Sequence, residues 1–149
     1  ELHDILKEKG ARLLLDTIPR IVAGTVQPVP QPEEEATYAS LITRDMERAD
    51  WNKKAEDLHN QFRAFDPWPG SFTLLPDGKR LKIWKSRILA GEGSQGAPGT
   101  VLQADSRGFR VACGQGSLEI LECQPEGKKR MPAASFVNGG HVKPGDRLE

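Results

Sequence analysis

Residues 50–70, DWNKKAEDLHNQFRAFDPWPG, constrain this chain more than any other stretch. Ala55, Leu58, Phe62 and Phe65 recur at offsets of three, four and three. That spacing predicts an amphipathic helix with all four on one face. Asp50 is placed to cap it. Pro67 and Pro69 withdraw two backbone donors and Gly70 frees the turn, so the helix ends in a rigid corner that holds Trp68. Everything after Gly70 reads as short strands, which need such a helix face to close over one end of their core.

The strand series begins at 71–75 and turns at Pro76-Asp77-Gly78. Residues 80–89 form a longer strand whose alternation slips near Ile83-Trp84, as at a bulge. Gly91 to Gly99 reads as a flexible loop. Strands at 100–104, 109–113 and 118–124 follow, with tight turns at 105–108 and 114–116. A short helical turn at 132–136 returns Phe136 and Val137 to the core. The expected fold is mainly β with helices: a small, partly open antiparallel barrel with one covering helix, since a flat sheet would expose its edges.

Upstream of Asp50 the chain has another character. Ile5, Leu6, Leu13, Leu14, Ile18, Ile21 and Val22 make a broad apolar face on a helix over 4–23, with Gly24 as its stop. Gly10 weakens this helix, and Pro19 is expected to kink or divide it. Its face has no partner nearby, which is natural for the last helix of a preceding domain. Prolines at 28, 30 and 32 predict a stiff extended connector, with Tyr38, Leu41 and Ile42 anchoring it to a surface. Thr43 to Glu47 reads as a helical turn. The expected division is a terminal helix at 1–24, a linker at 25–43 and a barrel domain at 44–147. Leu148 and Glu149 look like a cloning scar and are expected outside the fold. Glu1 is not an initiator Met, so the chain reads as a piece of a longer protein.

The 149 residues balance 21 basic against 21 acidic side chains, but unevenly. Residues 1–78 carry 9 Lys/Arg against 14 Asp/Glu, and residues 79–149 carry 12 against 7, so the second half is the basic one. Cys113 and Cys123 lie in apolar stretches and read as reduced core thiols. No signal peptide is apparent, and no run approaches the ~18 apolar residues of a membrane helix, so a cytoplasmic protein without a membrane partner is expected.

Catalytic patterns are missing. His3, His59 and His141 are scattered, the cysteines lack metal-ligand spacing, and the glycines of 91–99 lack the Lys-Ser/Thr ending of a phosphate loop. No catalytic residue, metal or cofactor is expected in this piece. His59, beside Asn60, reads as a boundary histidine bonded to backbone, with Arg63 anchoring the corner. Asp50, Trp51, His59, Asn60, Arg63, Phe65, Pro67, Trp68, Pro69 and Gly70 thus form a structural group. The basic residues carry more: Lys79, Arg80, Lys82, Lys85 and Arg87 punctuate one hairpin, and Lys128, Lys129 and Arg130 form a second cluster. Together they make candidate contacts for a nucleic-acid backbone. The bland alternative is a set of charges that only keeps an exposed strand soluble.

Several stretches carry a resemblance: GARLLLDTIPRIVAG at 10–24, PVPQPEEEATYASLI at 28–42, HNQFRAFDPWPGSF at 59–72, KIW at 82–84, PGTV at 98–101, QPEGKKRM at 124–131 and SFVNG at 135–139. In this order they resemble the C-terminal part of the methionyl-tRNA formyltransferases. The resemblance implies an OB-fold-like open barrel whose basic side helps hold initiator tRNA, joined in cis to an N-terminal catalytic domain that lies before residue 1. The parent would transfer formyl from its co-substrate, 10-formyltetrahydrofolate, to the methionine amino group of initiator tRNA in translation initiation. This piece alone would be inactive, and a monomer is expected. Asp66, Ser71, Leu41 and Ser135 stand where the family usually has Asn, Ala, Lys and Asp. Related formyltetrahydrofolate hydrolases, dehydrogenases and sugar formyltransferases remain an alternative, as does a non-catalytic structural appendage.

Overall fold

A computed structural model of the chain describes residues 2–89 and 96–149. The glycine-rich loop expected at 91–99 lies outside the described residues as far as Gln95. The chain divides into two compact units, Glu1–Ser40 and Leu41–Glu149.

The first unit is one helix and an extended segment. Helix α1, Leu2–Val22, runs through Pro19 without dividing. It stops at Gly24, whose φ of +69° lets Thr25 N–H donate back to the Arg20 carbonyl at 3.0 Å. Its apolar residues are exposed, and a single 3-10 turn, Glu33–Glu35, interrupts the proline-rich stretch. Tyr38 lies in this extended segment.

The second unit opens with a 3-10 turn, Arg44–Glu47, and then helix α2, Ala55–Ala64. The expected cap is not made. Lys54 stands at the N-cap without a side-chain bond, while the Asp50 carboxylate accepts from Asn52 N–H at 3.1 Å and from its side-chain amide at 3.0 Å. Asp50 therefore closes its own turn ahead of the helix. The spacing argument holds for the buried face of Ala55, Leu58 and Phe62, with Phe65 half-buried at the C-cap.

Strands β1 (Ser71–Leu74), β2 (Arg80–Leu89), β3 (Val101–Asp105), β4 (Gly108–Ala112), β5 (Ser117–Pro125) and β6 (Met131–Pro132) form one antiparallel sheet. Helix α3, Ala133–Asn138, follows β6, and Phe136 is buried as expected. The strand order is β1-β2-β5-β4-β3, with β6 pairing β5. This corrects the expected OB-fold-like barrel. Strands β1 and β3 end the order without pairing each other, and the sheet is neither closed nor strongly curled. The fold is mixed α/β, with six strands and three α-helices among the described residues.

The physical reason is that sheet edges can be covered instead of closed. Ala49 N–H donates to the Phe72 carbonyl at 2.8 Å on one edge. Val101 N–H donates to the Asp146 carbonyl at 2.8 Å on the other. Leu74 and Glu149 exchange backbone bonds at 2.7 and 3.0 Å, and Leu148 N–H donates to the Gly99 carbonyl at 2.8 Å. Leu148, expected outside the fold, is only 2% exposed and belongs to the core.

Helix α2 packs on β2 and β5, and α3 on β3, β4, β5 and β6. One core joins Leu58 and Phe62 to Leu81, Ile83, Phe109, Val111, Leu118, Ile120 and Phe136. Trp51 seals one end of it: Nε1 donates to Thr73 Oγ1 at 2.9 Å, and its ring meets Phe62 edge-on at 6.3 Å. Burial pushes the Cys113 and Cys123 thiols up to about 12.

Candidate basic face of the sheet

The basic hairpin is ordered by two bulges. Between the pairs Ile83–Cys123 and Lys85–Glu122, β2 advances two residues while β5 gives up one. Between Lys85–Glu122 and Ser86–Ile120 the imbalance reverses. Trp84 and Leu121 are thus the extra residues, and the expected slip near Ile83-Trp84 is present. In a regular strand Lys82 and Lys85, three apart, would point to opposite faces. The bulge restores phase, so Arg80, Lys82, Lys85 and Arg87 share the face away from the core, while Ile83 is buried on the other. Ser86 points inward too, where its hydroxyl hydrogen-bonds His59 Nδ1 of α2 at 2.9 Å. This corrects the backbone partner expected for His59. Partial burial, with the Arg63 charge second, holds the imidazole below its ordinary value of 6.5.

Trp84 is the centre of the outer face. It is only 8% exposed, and its Nε1 donates to Gln124 Oε1 at 3.1 Å. Gln124 in turn donates to the Lys128 carbonyl at 2.8 Å, which fixes the start of the second basic cluster. Lys82 Nζ and the Arg130 guanidinium lie 5.5 and 5.0 Å from the indole. Both reach the proline corner as well. Lys82 Nζ donates to the Pro69 carbonyl at 3.2 Å, and Arg130 donates to both Asp66 oxygens at 3.2 Å. Gly70, at φ +84°, lies so close that a methyl there would sit 2.8 Å from the Trp84 ring. Hairpin, corner and GKKR turn are therefore one construction, brought together across 64 residues of sequence.

The candidates differ in how far their charge is already spoken for. Lys79 pairs with Asp77 at 2.7 Å inside its own turn and holds that carboxyl below the usual range. Lys85 pairs with Glu122, and Arg87 with the 6%-exposed Glu119. The hydrogen bond from Lys85, helped by Arg130, keeps the Glu122 carboxyl low. Arg80 stacks 4.8 Å from the Phe72 centroid. Lys82, Lys128 and Lys129 have no carboxylate partner among the described residues. A groove of ≈ 300 Å³ on this face is lined by Glu47, Phe72, Arg80, Lys82, Gln124 and Glu126, among others.

Arg110 escaped the sequence reading, and Trp68, read only as a structural residue of the corner, proves exposed. Arg110 stands opposite Glu119 in the β4–β5 register, on the same outer face. Its only signal was a polar position between apolar Phe109 and Val111. Trp68 is 74% exposed at the corner, where composition gave no hint of its accessibility. Among the described residues no three His, Cys, Asp or Glu side chains gather as a metal site, and no helix is long and apolar enough to cross a membrane. Ser86 and His59 bring a hydroxyl and an imidazole into contact on the inward side of β2. The outer face offers a rigid, polar, cation-bearing surface.

Residues 41–141 match the family model described as "Formyl transferase, C-terminal domain". The chain is 49% identical over 149 residues to a methionyl-tRNA formyltransferase of Symbiobacterium thermophilum, covering 99% of this chain and 45% of that protein. It is 45% identical over 148 residues to one of Bacillus velezensis, covering 99% and 46%. The chain thus spans a little under half the length of these relatives. A crystal structure of a HypX variant from Aquifex aeolicus aligns with a TM-score of 0.63 at 18% identity, over 85% of this chain and 22% of that one. HypX in complex with tetrahydrofolic acid gives 0.60 at 20% identity, over 83% and 22%. At such identities the likeness is one of fold.

Proposed function

The chain belongs to the formyl transferase C-terminal domain family, and on that premise we propose that it is the tRNA-positioning end of a methionyl-tRNA formyltransferase. The whole protein transfers a formyl group from 10-formyltetrahydrofolate to the methionine amino group of initiator tRNA. The catalytic residues lie in the part of the relatives that this chain does not span. What this chain supplies is placement. Basic side chains on a rigid sheet face attract and orient the phosphate backbone, so that the aminoacyl end reaches a catalytic centre held in cis.

The observation that carries this reading is the bulge at Trp84, which aligns Arg80, Lys82, Lys85 and Arg87 on one face beside Lys128, Lys129 and Arg130. Charges that only kept an edge soluble would not need a common direction. Lys82, Lys128 and Lys129 would supply most of the phosphate attraction. Lys85, Arg87 and Lys79 would contribute less, because Glu122, Glu119 and Asp77 already screen them.

Binding of initiator and elongator tRNA to the 149-residue chain, measured at several salt concentrations, tests the reading. Affinity that falls steeply with salt supports a backbone-reading platform. No binding at about 50 mM salt by a folded chain would contradict it, since electrostatic attraction is strongest at low salt.

A further inference from the structure

We infer that Trp68 is a stacking platform for an unpaired nucleobase of the RNA held by the basic face, a role that rests on the RNA-binding reading above. The three tryptophans divide sharply. Trp51 and Trp84 are 3% and 8% exposed, and each indole N–H has a side-chain acceptor, Thr73 and Gln124 respectively. Trp68 is 74% exposed. A single exposed apolar side chain ordinarily needs no explanation. This one differs in what holds its backbone and in what surrounds it.

The backbone around Trp68 is fixed on every side. Pro67 and Pro69 flank it, each with φ locked by its ring. Gly70 N–H donates to the Phe65 carbonyl at 2.9 Å, closing the corner. Asp66, two residues before, is forked by Arg130, and the carbonyl of Pro69, one residue after, accepts from Lys82. Beneath the corner Gly70 rests on the Trp84 ring, where even a methyl would intrude. The fold thus specifies the backbone position of a side chain that the core does not use. Only the side-chain torsions of one residue are left to be ordered on binding, which keeps that cost small.

The surroundings name the partner. The corner that carries Trp68 is held by Lys82 and Arg130, the two cations that also lie over Trp84. Lys82 has no carboxylate partner among the described residues. An apolar protein surface docking on Trp68 would have to desolvate both cations and Asp66. A base can stack on the indole while its phosphate approaches Lys82. Aromatic faces interleaved with basic side chains hold nucleotides in this way with little regard to sequence.

The test titrates the 149-residue chain and its Trp68→Ala and Trp68→Phe variants with tRNA at several salt concentrations. Tryptophan emission serves as a second readout. One base stacked on an aromatic ring is worth about 1–3 kcal/mol, which corresponds to roughly 5- to 150-fold in affinity. Trp68→Ala is expected to weaken binding by an amount in this range with the salt slope unchanged, because no charge is removed. Trp68→Phe, which keeps a ring, should retain most of the affinity. In the wild-type chain tRNA should quench the emission of Trp68. If wild type binds tRNA while Trp68→Ala binds equally well, or wild-type emission is unchanged on binding, the stacking role is wrong and the basic face stands. If wild type binds no tRNA, both fall together.

Discussion

Arg130 donates to both carboxylate oxygens of Asp66 at 3.2 Å, and to Glu122 at 2.6 Å through its Nε. The fork joins the end of the proline corner to the turn before β6, so it ties the two segments that frame Trp84. Both partners are partly exposed, so the pair is screened and its worth is modest. A double-mutant cycle of Asp66→Asn and Arg130→Ala by urea denaturation should give a coupling of about 1 kcal/mol. Additive effects would show that the fork is a surface pairing without consequence for stability.

Leu148 should behave as a core residue. At 2% exposed, its side chain leaves a cavity if shortened, and Leu148→Ala should cost about 2 kcal/mol or more. Removing residues 148 and 149 should cost more still, since the paired bonds between Leu74 and Glu149 go with them. Equilibrium unfolding decides this, and an unchanged midpoint for both variants would place the terminus outside the cooperative unit.

His59 should make stability depend on mildly acidic pH. Burial and the Arg63 charge lower its folded-state value below the unfolded 6.5. Well above pH 6.5 the ring is neutral in both states and contributes no pH dependence. As pH falls below 6.5 the unfolded chain takes up the proton first, so stability is lost until the folded-state value is passed. His59→Gln should flatten the pH–stability profile just below 6.5. An equal slope in wild type and variant would assign it to other groups.

The two thiols should be inert in the native chain. With both pushed up to about 12 by burial, the thiolate fraction at about pH 8 is negligible. A thiol reagent should label Cys113 and Cys123 only when denaturant is added, with both reacting together on global unfolding. Rapid labelling of the native chain would contradict the packing described for β4 and β5.

Local features of this fold were legible in the sequence, and relations between distant segments were not. The α2 face, the Pro76-Asp77-Gly78 turn, the span of β2 and the slip at Trp84 all follow from periodicity or turn chemistry within a few residues. The capping role of Asp50 misled because an Asx turn and a helix cap use the same side-chain acceptor. Which way Lys82 and Lys85 face depends on the pairing of β2 with β5, a non-sequential neighbour. The same pairing supplies Glu119 and Glu122, which neutralise residues that counted as free cations in the bare sequence. The barrel was inferred from the need to hide edges, and nothing in residues 144–149 announced that they would cover them.

The cations of the outer face differ in pairing, and that difference is where the proposed RNA-binding role is most exposed to test. The decisive measurement is the salt dependence of tRNA binding for two triple variants, Lys82→Ala with Lys128→Ala and Lys129→Ala, and Lys79→Ala with Lys85→Ala and Arg87→Ala. Each cation that neutralises a phosphate contributes roughly 0.7–0.9 to the log–log slope, so its removal should shallow the slope by that amount. The unpaired set is expected to lose about 2 units of slope and most of the affinity, while the set paired with Asp77, Glu122 and Glu119 loses distinctly less. Unchanged slope and affinity in the first variant would contradict the assignment of this face to RNA.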